Sequence, residues 1–297
     1  MGLMAMSSTS RISIKNRRTN RFLSKYLKRI NKISFCKLTE RQLKSLAGYK
    51  IFYEKGVDIV PTANNYIFRA VINDDYEPFE SINRIKYNPK PTKCSRANII
   101  GQGVGYYSLG SIDNDASDVS IIEACNEELT KSKKRFFYLT VSKWKIKKAI
   151  LVNVVCHSSI AQAAGTDLLK IYKEINTERK LQFRSGKYRT WMLSTKFIAN
   201  QFAKEIIECD KDYIVSARYS NSIFKSTKIG GIIYPSVQYF YKGFNIALSP
   251  SLFNENFFEL EEVSHCSVKF GNDRKTYPKI DLIKATNKFD GDKIIWS

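Results

Sequence analysis

Ser95-Arg96-Ala97-Asn98-Ile99-Ile100-Gly101-Gln102-Gly103-Val104-Gly105-Tyr106-Tyr107-Ser108 is the stretch that decides the architecture of this chain. Three alternate glycines invite a reading as a dinucleotide-binding loop. Such a loop must follow a strand and open a helix, whose N-terminus receives the pyrophosphate. Neither flank fits. The preceding segment carries Pro78, Pro89 and Pro91 and reads as irregular loop, while Tyr106-Tyr107-Ser108 reads as a strand. The glycines are therefore predicted to let backbone pass close to a neighbour or ligand, and no Rossmann site is expected.

Upstream, residues 66–72 alternate in β-rich fashion, so Arg69 projects from a strand on the face opposite Phe68. Downstream, residues 113–117 offer helix N-caps, and Val119, Ile122, Cys125 and Leu129 mark the apolar face of the helix that follows. Glu123 falls at the border of that face. Further strands are predicted at 136–141, 149–155, 213–217, 231–234, 243–248, 266–270 and 279–284, with helices at 160–175 and 195–208. There is no regular βαβ alternation. The reading is α+β, with a mainly antiparallel sheet and flanking helices.

The N-terminal sixth differs from the rest. Residues 1–19 read as a disordered basic arm and 20–58 as a helical extension, ahead of a main domain over 59–297. Leu23, Tyr26, Leu27 and Ile30 recur at helical spacing, and Thr39 to Gln42 resembles a capping box opening a second helix. Residues 1–45 hold twelve Lys and Arg against Glu40 alone, so +11 of the net +21 sits there. Such an arm attracts polyanions by counterion release, which points to weak nucleic-acid contact. A solvated or partner-contacting extension and a Ser- and Arg-rich transit peptide are the alternatives.

With 297 residues, of which 43% are hydrophobic, the chain can bury a substantial core without staples. The six Cys are scattered with no CxxC pair, so reduced thiols and a cytoplasmic setting are expected. Cys156-His157 and His265-Cys266 are neighbours that face opposite ways on a strand, and no metal site is predicted. The longest apolar run, 149–155, is too short to span a bilayer. Residues 1–30 hold no apolar core of a secretory signal.

Taken in order, several of these short motifs resemble the RES family, named for its Arg, Glu and Ser, whose members are bacterial NAD-consuming toxins. The matching pieces are Phe68-Arg69-Ala70, Ser95-Arg96-Ala97-Asn98, Tyr106 with Ser108, Glu123, and Gly231-Ile232-Ile233-Tyr234-Pro235-Ser236. Gly243, Asn245, Ala247 and Leu248 close the set, which covers roughly residues 60–255. Gln238 stands where relatives often carry a basic residue.

The resemblance implies an ADP-ribosyltransferase-like fold and cleavage of the nicotinamide–ribose bond of NAD. Glu123, Arg69 and Ser236 would then be catalytic, and Arg69, Arg96, Asn98 and one of Tyr106 or Tyr107 would bind NAD. NAD is substrate, with no separate cofactor. An Xre-type antitoxin that occludes the pocket, often in a higher-order assembly, is implied as partner. Two alternatives stand beside this reading: ADP-ribosylation of a specific protein, and a basic nucleic-acid-binding protein with an inactive pocket.

Overall fold

The computed structural model describes residues 21–39, 41–42, 57–60, 65–111, 117–131, 134–156, 159, 167–226, 229–241, 243–272 and 277–296. The expected disorder of 1–19, the N-cap candidates at 113–116 and His157 lie outside them. In chain order the helices are α1 (21–30), α2 (Ile82–Lys86), α3 (Ser117–Lys131), α4 (Asp167–Gln182), α5 (Ser185–Phe202), α6 (Ile214–Ser226) and α7 (Ser251–Asn254). The strands are β1 (Val57–Val60), β2 (Asn65–Ile72), β3 (Gly105–Ser111), β4 (Phe136–Ile146), β5 (Ile150–Val154), β6 (Gly231–Pro235), β7 (Phe244–Leu248), β8 (Phe258–Lys269), β9 (Lys279–Thr286), β10 (Phe289–Asp290) and β11 (Lys293–Ile294).

β1 to β9 form one sheet in the order β1-β5-β6-β7-β3-β2-β4-β8-β9. Every neighbouring pair is antiparallel except β5 with β6. The chain is thus α+β with a mainly antiparallel sheet and flanking helices. The sheet begins at Val57, two residues inside the predicted extension.

Two-residue alternation divides the strands between two cores. One face carries Ala70, Leu139, Val141 and Val268 under Ile121, Cys125 and Leu129 of α3. Farther along the same face, Ile232, Tyr234 and Ala247 pack under α1, α5 and α6. The other face carries Ile67, Tyr107, Val152, Ile233 and Ile246, covered by Ile82 and Ile85 of α2 and by Leu252 of α7.

The glycine stretch behaves as read. Gly101 adopts φ +76°, and a Cβ on Gly103 would lie 3.0 Å from the Asn88 carbonyl oxygen. Gly105 then opens a strand rather than a helix. Thr39 also caps as read: its N–H donates to Gln42 Oε1 at 2.9 Å, and Gln42 N–H donates to Thr39 Oγ1 at 3.3 Å.

Three expectations fail. Residues 213–217, read as a strand from Tyr-Ile-Val, are helical: Tyr213 closes a 3-10 turn over Asp210–Tyr213 and 214–217 open α6. Ser216, Ala217, Ser220 and Ile223 are all buried at helical spacing, and these small residues seat α6 closely, so packing overrides local propensity. The helix expected at 195–208 instead runs from Ser185 to Phe202. Cys36 and Cys209 form a disulfide across 173 residues, in place of the expected reduced thiols. Only tertiary placement brings that pair together; its spacing carries no motif.

His265 is fully buried in β8, and neither ring nitrogen has a hydrogen-bond partner. Tyr76 and Tyr138 pack on its ring, and Lys284 and Glu77 are the charges acting on it. Burial first, then Lys284, lowers its pKa from 6.5. The unfolded chain therefore binds the extra proton first, and stability is lost as pH falls below about 6.5. We expect His265→Gln to flatten urea-unfolding stability between pH 7 and 5, removing a slope of at most about 1.4 kcal/mol per pH unit. An unchanged slope would place the acid sensitivity elsewhere.

Candidate functional site

The site begins where two strands part. β2 pairs with β3 only from Asn65 to Phe68, opposite Ser111 to Ser108, yet it stays paired with β4 through Ile72. Beyond Phe68 the β3 side of β2 is open. Ser120 of α3 takes over there: its hydroxyl accepts from Ala70 N–H at 2.8 Å and donates to the Phe68 carbonyl at 3.1 Å. A helical hydroxyl thus replaces a strand partner, satisfying backbone groups that would otherwise be orphaned.

One helical turn on, at i+3, α3 presents Glu123 on the same side as Ser120. Its Oε1 accepts from Ser236 Oγ at 2.6 Å and from Asn245 Nδ2 at 2.9 Å, with Gln238 N–H farther off at 3.4 Å. Ser236 is fully buried and Asn245 is 6% exposed. Three donors on one oxygen fix the orientation of the carboxylate. Oε2 makes no hydrogen bond among the described residues, so it is the acceptor left for a ligand.

Register explains the meeting. Ser108, Asn245 and Tyr234 are directly paired across β3, β7 and β6, so all three share the α3 face. Ser236 follows β6, and the turn after it is strained: Phe240 and Tyr241 adopt φ of 53° and 63°. Each such non-glycine residue costs on the order of 1–3 kcal/mol unless the surroundings enforce it. Here Tyr241 N–H donates to the Ser236 carbonyl at 2.8 Å and its hydroxyl to Glu205 at 2.9 Å. The closed turn aims Gln238 N–H at Glu123.

Arg69 projects opposite Phe68, as expected, and so emerges on the other face, against the Tyr107 ring. At the parting of the strands it donates to the Tyr106 carbonyl at 3.1 Å, while its buried Nε has no partner. No carboxylate lies within 4 Å of it among the described residues. Burial pulls its pKa below the ordinary value, with Tyr107 and Tyr106 opposing. A shielded cation with a spare donor is a place for an anion.

Arg96 is placed differently. It donates to the Phe202 and Lys204 carbonyls at 2.5 and 2.9 Å, at the C-terminal end of α5, and lies over the Tyr213 ring. Carbonyls fill the fork that the resemblance assigns to NAD. Asn98 likewise serves its own loop, donating to the Lys93 and Ile99 carbonyls.

Tyr106 and Tyr107 face opposite ways. The Tyr106 hydroxyl donates to Asn98 Oδ1 and accepts from Ala97 N–H, both at 2.8 Å, so it organises the 95–98 loop. Tyr107 is buried with its hydroxyl on the Lys86 carbonyl and its ring stacked on Phe253. Tyr234 joins the Glu123 side. Burial holds its phenol well above the ordinary pKa, with Tyr106 and Glu123 adding to the rise and Arg96 opposing it.

Glu123 and Ser236 therefore meet, with Tyr106 and Arg96 around Tyr234 on the same side, whereas Arg69 and Tyr107 lie on the opposite face of the sheet. Asn245 and Ser120 are not among the expected site residues. The available signal was a buried polar residue on each apolar element.

The fold and site together define an α+β protein with a clamped carboxylate beside an opened strand pair. No family model matches the chain, and no curated protein matches it either.

Proposed function

We propose that the chain is an NAD-degrading toxin that cleaves the nicotinamide–ribose bond. The observation that carries this reading is the clamp: Ser236 and Asn245, distant in sequence, hold one oxygen of Glu123 and leave the other available. The bond breaks through an oxocarbenium-like transition state, whose growing positive charge a nearby carboxylate stabilises. Oε2 of Glu123 would meet that charge or a ribose hydroxyl. The nicotinamide ring is cationic while bonded in NAD and departs neutral with the bonding electron pair, so no general acid is required. NAD would pass through the opening between β2 and β3, so that Arg69, on the face opposite Glu123, holds the pyrophosphate there. Arg96, engaged with carbonyls, would shape the pocket wall by anchoring the 95–98 loop.

The toxin would act on the cellular NAD pool, and an Xre-type antitoxin would cover the opened strand pair. The chain would carry NAD as substrate and need no resident cofactor.

The deciding experiment is incubation of the purified full chain with NAD, following free nicotinamide by chromatography. Release with no label transferred from labelled NAD to lysate protein supports hydrolysis or phosphorolysis. Label on protein selects ADP-ribosylation instead. Absence of release in either setting ends the proposal.

Arg69 yields a sharper expectation. Arg69→Met keeps most of the volume and removes a shielded, unpaired charge. We expect KM for NAD to rise about 10- to 100-fold, the worth of a charged hydrogen bond. The melting temperature should hold or rise, because desolvation no longer opposes folding. A fall in stability with unchanged KM would make Arg69 structural.

A further inference from the structure

Helix α1 is fastened to the body of the protein, and four of its five exposed residues are cationic. Leu23, Leu27 and Ile30 are buried among Phe197, Ile198 and Phe202, and Asn31 accepts from Gln201 at 2.9 Å. The Cys36–Cys209 disulfide and a 3.1 Å bond from Lys211 Nζ to the Leu38 carbonyl secure the segment that follows. The rotation of α1 about its axis is thereby set.

Arg21, Lys25, Lys28 and Arg29 are exposed, and Lys32 is exposed in the turn beyond. At 100° per residue the first four fall within about 100° of arc, on the side opposite the buried one, over about 12 Å of helix. Residues 1–39 contain ten Lys and Arg and no Asp or Glu. Among the described residues none of the five cations lies within 4 Å of a carboxylate.

Such a face is costly in isolation. Like charges at i,i+3 and i,i+4 repel. A merely solvated helix would interleave acids. Phe22, 65% exposed, stands at the margin of the stripe, where an aromatic ring can stack on a base.

We propose that this face of α1 docks the phosphate backbone of nucleic acid, independently of any NAD chemistry. Several fixed cations facing a line of phosphates gain by releasing condensed counterions. The rigid seating of the helix removes the ordering cost that a loose arm would bear.

The test uses the full chain and two fluorescently labelled probes, a 20-base-pair DNA duplex and a 20-nucleotide RNA, by anisotropy over a salt series. Five contacts predict a slope of about −4.5 for log affinity against log salt on the duplex, or about 500-fold weakening between 50 and 200 mM. Replacing Arg21, Lys25, Lys28, Arg29 and Lys32 with Gln should weaken binding at least tenfold and flatten the slope. A control of equal charge loss replaces Lys90, Lys148, Lys269, Lys288 and Lys293 with Gln, and it should bind nearly as wild type. Stronger binding of RNA than of duplex, lost in Phe22→Ala, supports docking with stacking; tighter duplex binding supports docking by phosphate alone. Equal weakening in both five-site variants overturns the proposal. So does retention by phosphatidylserine vesicles without nucleic-acid binding.

Discussion

Glu123→Gln is expected to lower NAD turnover by about 10²- to 10³-fold, the usual loss when one electrostatic partner of a transition state is removed. The substitution is nearly isosteric. Its carbonyl oxygen can still accept from Ser236 and Asn245, so the clamp that orients the side chain survives. What disappears is the negative charge that an oxocarbenium-like centre requires. Binding should change little, with kcat carrying the loss. Ser236→Ala and Asn245→Ala each remove one donor and should cost less, about tenfold apiece. Circular dichroism must show all three variants folded. Undiminished nicotinamide release by folded Glu123→Gln would remove Glu123 from the chemistry.

Breaking the Cys36–Cys209 disulfide is expected to destabilise the chain by about 2–5 kcal/mol, because a bond closing so long a loop restrains the unfolded state strongly. Cys36→Ser should show this in urea unfolding, and reductant should reproduce it in the wild type while adding nothing to the variant. The bond ties the segment after α1 to the stretch that seats Arg96, since Phe202 and Lys204 accept from Arg96 and Tyr213 lies against it. Protease should therefore release the N-terminal region first in the reduced protein. Titration of thiols in denatured, unreduced protein should count the four free cysteines. A count of six would mean that the bond does not form in solution.

Local pattern reaches some of these features and not others. The alternation of β2 correctly sets Arg69 against Phe68, because side-chain period in a strand is a local property. The capping pair Thr39 and Gln42 is equally legible, being complete within four residues. α6 reads wrongly from sequence because Tyr213-Ile214-Val215 carries β propensity, while Ser216, Ala217 and Ser220, which seat it on its neighbours, express no local preference for strand or helix. Arg96 is assigned to NAD by the family resemblance, and no neighbouring residue shows otherwise. Its carbonyl partners lie more than a hundred residues away, at the end of a helix whose limits local pattern also misplaces.

By itself, the order of residues determined the α+β class, the strand that follows the glycine turn and the cationic character of the N-terminal region. Each depends on periodicity, turn chemistry or charge that a few neighbouring residues express. Tertiary structure alone decided that β2 and β3 part after Phe68, that Asn245 joins Ser236 on Glu123, and that Cys36 reaches Cys209. The reason is physical: strand register and helix seating are settled by burying apolar faces far apart in the chain, and polar groups carried on those faces meet only once that burial is complete.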